Sequence, residues 1–156
     1  MIKRPIDQII IHCSATPNGD SYYAKDIDDW HAARGFGRDP DMRKEFNPHL
    51  QAIGYHYVIL LDGITQAGRA EHEVGSHVFG RNARSIGICM IGTDKFTPAQ
   101  WRSLRFLVFS LIEKYPRATV HGHREFTIKE CPGFDVGEWM RNRNAVGPIG
   151  HVMVLQ

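Results

Sequence analysis

Three consecutive β-branched residues, Ile9-Ile10-Ile11, constrain this chain more than any other feature. Side chains alternate between the two faces of a strand, so an unbroken apolar run requires cover on both faces. Asp7 to His12 therefore reads as a buried central strand. The segment His12-Cys13-Ser14-Ala15-Thr16 leaves it at the carboxyl end. In α/β sheets that end opens onto the crevice where ligands bind.

The rest of the chain supplies cover for such a strand. Ala24 to Arg34 reads as a helix with Ile27, Trp30 and His31 on one face and Gly35 as its stop. Residues 35–53, interrupted by Gly37, Pro40 and Pro48, read as a long surface loop. Tyr55 to Leu61, an Asp62-Gly63 turn and a short strand through Ile64-Thr65-Gln66 form a hairpin signal, with Tyr55 and Tyr57 on one face and His56 on the other. Ser85 to Ile91 is a further apolar strand. The clearest helix runs from Pro98 to Tyr115. Thr97 and Gln100 make a capping box, and Trp101, Leu104, Leu107, Val108, Leu111, Ile112 and Tyr115 recur at helical spacing. Ala118 to His121 reads as a short strand, Asp135 to Asn142 as a last helix, and Val152 to Leu155 as a terminal strand. Strands interspersed with helices specify an α/β domain with a central sheet flanked by helices.

Residues 1–156 read as one domain, with a core over about 7–143 and an unassigned tail over 144–156. A chain this long buries roughly 68–70% of its unfolded surface, so its core needs no disulfides, and nothing demands more than a monomer. The net charge of +2 argues against a nucleic-acid binder, which needs clustered Lys and Arg. No stretch approaches the roughly 20 apolar residues of a membrane span. Lys3-Arg4 is followed by no apolar signal region, so the expectation is cytoplasmic synthesis without signal peptide or membrane anchor. The 3 cysteines are an odd number and lie far apart, which suits a reducing compartment rather than a disulfide framework.

Four segments carry chemistry. His12 alone reads most simply as a satisfied, half-buried histidine, because a single histidine has no metal-site spacing. Together with His123 and Cys131 it makes a His₂Cys set. Three protein ligands with one open position is the arrangement of a catalytic zinc, whereas structural zinc takes four. Cys13 and Cys89 lie in or beside apolar strands and read as small buried hydrophobes. Lys129, two residues before Cys131, stands either in the same pocket as an oxyanion partner or exposed on the surface. Tyr55, in Gly54-Tyr55-His56-Tyr57, offers a phenol that orients water or carbonyl; aromatic core packing is the competing reading and the better one for Tyr57.

These pieces occur in a recognisable order. They are Ile11-His12-Cys13-Ser14-Ala15-Thr16, Gly54-Tyr55-His56-Tyr57, Val74-Gly75-Ser76-His77, Ser85-Ile86-Gly87-Ile88-Cys89, Phe96-Thr97-Pro98-Ala99-Gln100, and Gly122-His123-Arg124-Glu125 with Lys129-Glu130-Cys131-Pro132-Gly133. The set resembles the zinc-dependent N-acetylmuramoyl-L-alanine amidases of the type-2 family, chiefly the small bacteriophage amidases. It is also similar to peptidoglycan recognition proteins. The resemblance implies a mixed β-sheet flanked by helices, with one zinc ion at the base of a surface groove. It implies His12, His123 and Cys131 as zinc ligands, Tyr55 and Lys129 as catalytic residues, and His77 and Asn82 in the segment lining the substrate groove. Arg81 and Arg84 lie in the same segment and have the chemistry to grip stem-peptide carboxylates. The implied reaction is hydrolysis of the amide between the lactyl group of N-acetylmuramic acid and L-alanine, with peptidoglycan or muropeptide as substrate. An enzyme encoded by a phage or prophage would act on the wall after release. Three rivals remain at this point: a recycling amidase for soluble muropeptides, a non-catalytic peptidoglycan-binding module, and a metal-free thiol hydrolase.

Overall fold

The computed structural model describes residues 4–142 and 146–154. Five strands form one mixed sheet: β1 (Gln8–Cys13), β2 (Tyr57–Ile59), β3 (Thr65–Ala67), β4 (Ser85–Met90) and β5 (Thr119–Gly122), in the order β3-β2-β4-β1-β5. β1 runs parallel to both β4 and β5, β2 is parallel to β4, and only the β2–β3 pair is antiparallel. The isoleucine run thus occupies an inner strand, and Ile9, Ile10 and Ile11 are fully buried. Four α-helices complete the order: α1 (Ala24–Ala33), α2 (Pro40–Glu45), α3 (Pro98–Lys114) and α4 (Val136–Asn142).

Alternation along the strands builds two cores. Ile9, Ile11, Ile86, Ile88 and Ile59 pack against α3 and α4 through Trp101, Leu104, Val108 and Trp139. Val58 and Cys89 face the other way, onto Ala24 and Ile27 of α1 and onto Leu50 and Ile53. α3 forms where its capping box sits: Thr97 Oγ1 accepts from Gln100 N–H at 3.1 Å, and Gln100 Oε1 accepts from Thr97 N–H at 2.9 Å. Its buried residues include Trp101, Leu104, Val108 and Leu111, while Leu107, Ile112 and Tyr115 are half-buried at the margin.

Three expectations need correction. Residues 35–53 are not simply a surface loop. Asp39 caps α2 by accepting from the N–H groups of Asp41 and Met42, and Pro40 fits the first helical position, where it starts a helix instead of breaking one. Leu50, Ala52 and Ile53 are buried, because this segment covers the second face of the sheet. Second, Tyr55 and Tyr57 do not share a face. Strand pairing begins at Tyr57, and Tyr55 packs with the α1-side core while Tyr57 packs with the α3-side core. Just before β2, Gly54 lies against the Ser76 backbone: a Cβ there would come within 1.9 Å of the Ser76 carbonyl oxygen. Third, Val152 makes a single bridge to Phe96 in place of a terminal strand. The last residue of that expected strand, Leu155, lies outside the described residues, as do residues 144, 145 and 156 of the tail.

A buried ionic cluster ties the 35–53 segment to the rest. The Arg38 guanidinium grips both carboxylate oxygens of Glu73, at 2.8 and 3.2 Å, and donates to the carbonyls of Phe46, Asn47 and Leu50. Arg69 lies 3.6 Å from the same carboxylate and donates to the carbonyls of Ile53 and Val74. Removing one partner of a buried ion cluster leaves the other charge uncompensated, which costs about 3–5 kcal/mol. Glu73→Ala should therefore lower the urea midpoint by that equivalent with an unchanged m-value. An unchanged midpoint would show that the cluster adds nothing to stability.

Candidate metal centre and cleft

The parallel strands β1 and β5 lie side by side, and their carboxyl ends bring two histidines together. His12 is the penultimate residue of β1 and His123 follows β5 directly; their ring centroids are 4.6 Å apart. Cys131 arrives on the connection to α4. That connection is held by Arg124 N–H donating to the Cys131 carbonyl at 2.6 Å and by Cys13 N–H donating to the Cys131 Sγ at 3.3 Å. One donor atom from each of His12, His123 and Cys131 lies within 4.8 Å of the other two, close enough to converge on a single metal ion. Among the described residues this is the one such group of three or more His, Cys, Asp or Glu side chains.

The electrostatics prepare these groups as ligands. Burial pushes the His12 imidazole well below its usual range, helped by His77 and His123. Burial and the Lys129 ammonium push His123 down too. Both histidines therefore keep the neutral form that coordinates metal. Hydrogen bonding with the Cys13 thiol and burial push the Cys131 thiol up. Cys13 and Cys89 are buried, as expected, and Cys13 also stands directly behind Cys131.

His123 and Cys131 line a cleft of about 530 Å³, and the buried His12 packs behind that lining against the Tyr55 and His123 rings. Tyr55 lines it with its ring centroid 4.9 Å from that of His12. Burial pushes the Tyr55 phenol well above its usual range, so it stays a protonated donor. Lys129 lines the same cleft from an exposed position. His77 and Asn82 also border it, but the His77 ring nitrogens and Asn82 Oδ1 are engaged within the protein: His77 Nδ1 meets His12 Nε2 at 2.8 Å and its Nε2 meets Ser85 Oγ at 3.1 Å, and Asn82 Oδ1 accepts from the His77 and Val78 N–H groups.

Arg81 and Arg84 lie elsewhere. They border a separate depression with Asp7, Gln8 and Thr119. Arg84 pairs with Asp7 at 2.6 Å, and the Arg81 guanidinium stacks 3.9 Å over the Phe126 ring. Neither side chain lines the cleft. Glu125 is turned toward His121 and the Gly122 N–H, so it is no base for the cleft.

Sequence reasoning missed Trp30, Arg34 and Phe36 on the cleft wall. Trp30 and Arg34 are four residues apart at the end of α1, a spacing that puts them on one helix side. That signal was readable, but nothing in the sequence says which side of α1 meets a cleft. Arg34 lies 4.8 Å over the Phe36 ring, and among the described residues no carboxylate pairs with it.

Comparisons with known proteins agree with this geometry. Residues 2–134 match the family described as N-acetylmuramoyl-L-alanine amidase. The endolysin of Escherichia phage T7 is 38% identical over 152 residues, covering 92% of this chain and 91% of the phage protein. Among solved structures, the N-acetylmuramoyl-L-alanine amidase LysC from Clostridium intestinale URNW superposes with a TM-score of 0.72 at 31% identity, covering 91% of this chain and 87% of that one. Drosophila PGRP-LB shares the fold at 24% identity, with a TM-score of 0.63 over 96% of this chain and 87% of its own. With its sheet, its His₂Cys cluster and its match from residue 2 to residue 134, the chain belongs to the N-acetylmuramoyl-L-alanine amidase family.

Proposed function

We propose that this chain is a zinc-dependent N-acetylmuramoyl-L-alanine amidase that works as a phage-type endolysin. Its reaction is hydrolysis of the amide joining the lactyl group of N-acetylmuramic acid to L-alanine. The observation that carries this reading is the convergence of His12, His123 and Cys131 within 4.8 Å, two of them lining a cleft that Tyr55 and Lys129 also line. The donor set suits zinc: two neutral imidazoles and one thiol, three ligands in all, leave a fourth position open. When bound there, a zinc ion supplies Lewis-acid activation of a water and of the carbonyl.

The chain's own residues do the remaining work. The Tyr55 O–H, kept protonated by burial, donates a hydrogen bond that orients the reacting water or carbonyl. The Lys129 ammonium meets negative charge as it develops on the carbonyl oxygen. Arg34, on the cleft wall and free of any acidic partner among the described residues, anchors a free carboxylate of the stem peptide. Arg34→Ala should lower kcat/KM about tenfold, mainly through KM, because an exposed charge-assisted hydrogen bond contributes about 1.5 kcal/mol. Unchanged kinetics on natural peptidoglycan would remove Arg34 from the substrate site.

Among the described residues no helix is long and apolar enough to cross a membrane. The endolysin reading has the protein released to reach the wall. Its test is mass analysis of purified peptidoglycan after digestion, with and without a chelator. Free stem peptides beginning at L-alanine, lost on chelation and restored by zinc, are the expected products. Glycan cleavage, or cleavage indifferent to chelator, would overturn the assignment. Running soluble muropeptides beside intact wall separates a lytic enzyme from a recycling one.

A further inference from the structure

His77 borders the cleft, yet its ring is built into the protein beneath His12. The His77 Nδ1 lies 2.8 Å from His12 Nε2, and its Nε2 lies 3.1 Å from the Oγ of Ser85, a fully buried residue. The two histidine rings meet edge to face, with centroids 4.9 Å apart. The slot that admits the ring depends on two glycines. A Cβ at Gly87 would come within 2.8 Å of the His77 ring, and one at Gly75 within 2.8 Å of its Cδ2. The backbone N–H of His77 is pinned by Asn82 Oδ1 at 2.8 Å. Both ring nitrogens and the ring's position are therefore committed inside the fold.

The hydrogen-bond directions follow from the metal side. His12 Nδ1 is the nitrogen that faces Cys131, 3.9 Å from its Sγ, so it must carry the lone pair toward a shared ion. A neutral imidazole has one N–H, which places the His12 proton on Nε2. His12 Nε2–H then donates to His77 Nδ1, and the His77 proton on Nε2 goes to Ser85 Oγ. Ligating histidines commonly donate their second N–H to a fixed acceptor, which sets both tautomer and ring plane. The acceptor here is another histidine rather than a carboxylate or carbonyl.

We propose that His77 is a positioning residue for the metal: backed by Ser85, it holds His12 in its ligating tautomer and orientation, and it does not serve as a substrate contact. This rests on the zinc reading above. The test measures zinc affinity of the metal-free protein by competition with a chelating dye. His77→Leu keeps an apolar side chain in the slot but removes the acceptor, and it should weaken zinc about 10–100-fold. His77→Asn puts a carbonyl oxygen near the lost Nδ1 and should restore affinity to within about threefold of wild type. Ser85→Ala removes only the distal hydroxyl and should weaken zinc several-fold; it carries the test if His77→Leu does not fold. Wild-type zinc affinity in His77→Leu, with KM raised on peptidoglycan, would make His77 a substrate contact and overturn the proposal. If His77→Leu fails to fold, wild-type affinity in Ser85→Ala overturns it as well. Absence of zinc binding by the unmodified protein would instead sink the zinc reading itself.

Discussion

Cys131→Ser should strip the metal while leaving the fold standing. Purified wild-type protein should contain one zinc per chain, and the serine variant close to none, because a neutral hydroxyl replaces the one anionic ligand. The same loss is expected for His123→Ala. Activity on peptidoglycan should drop by at least about 10³-fold, since Lewis-acid stabilisation of the developing charge contributes several kcal/mol. Folding should survive, because neither side chain belongs to the two apolar clusters built on β1 and β4 beyond a half-buried contact of Cys131. Circular dichroism and metal analysis on the same samples decide the matter. Full zinc occupancy in both variants would mean that the His₂Cys cluster is not the metal centre, and Cys13, which touches Cys131, would be the next thiol to replace.

The second large effect separates chemistry from metal binding. Lys129→Ala and Tyr55→Phe should each retain zinc and thermal stability, yet lose about 10²–10³ in kcat, the usual consequence of deleting one donor to a developing oxyanion. Lys129 is exposed and makes no side-chain hydrogen bond among the described residues, so its removal costs the fold little. Tyr55→Phe keeps the ring that packs on His12 and His31 and removes only the phenolic O–H. A fall in kcat at constant zinc content identifies groups that act on the transition state. Wild-type turnover in both variants would reduce them to cleft lining.

Local patterns specify structure where one physical rule decides the outcome. The isoleucine run became an inner strand because both its faces demand cover. Helix α3 began at Pro98 because Thr97 and Gln100 satisfy each other's backbone donors. They fail where local signals compete. Pro40 reads as an interruption, but with Asp39 before it the same residue opens α2. The alternation of Tyr55 and Tyr57 fails because the strand begins only at Tyr57, and the two rings pack into different cores.

By itself the sequence determined which residue types could make a catalytic metal centre, and in which order: His12 at the end of a buried strand, then His123 and Cys131. It also held the apolar periodicities that specify a sheet covered by helices, since these are properties of neighbouring residues. Only the tertiary structure decided what each polar side chain faces. Arg81 and Arg84 sit beside His77 and Asn82 in the chain, yet one stacks on Phe126 and the other pairs with Asp7 outside the cleft. Arg34, some fifty residues earlier, stands on the cleft wall. His77, which sequence assigns to the groove, is held under His12 by Ser85 and by the space two glycines leave. The reason is physical: periodicity tells which side of an element is apolar, whereas the partner of a polar group is set by segments that the fold brings together from distant parts of the chain.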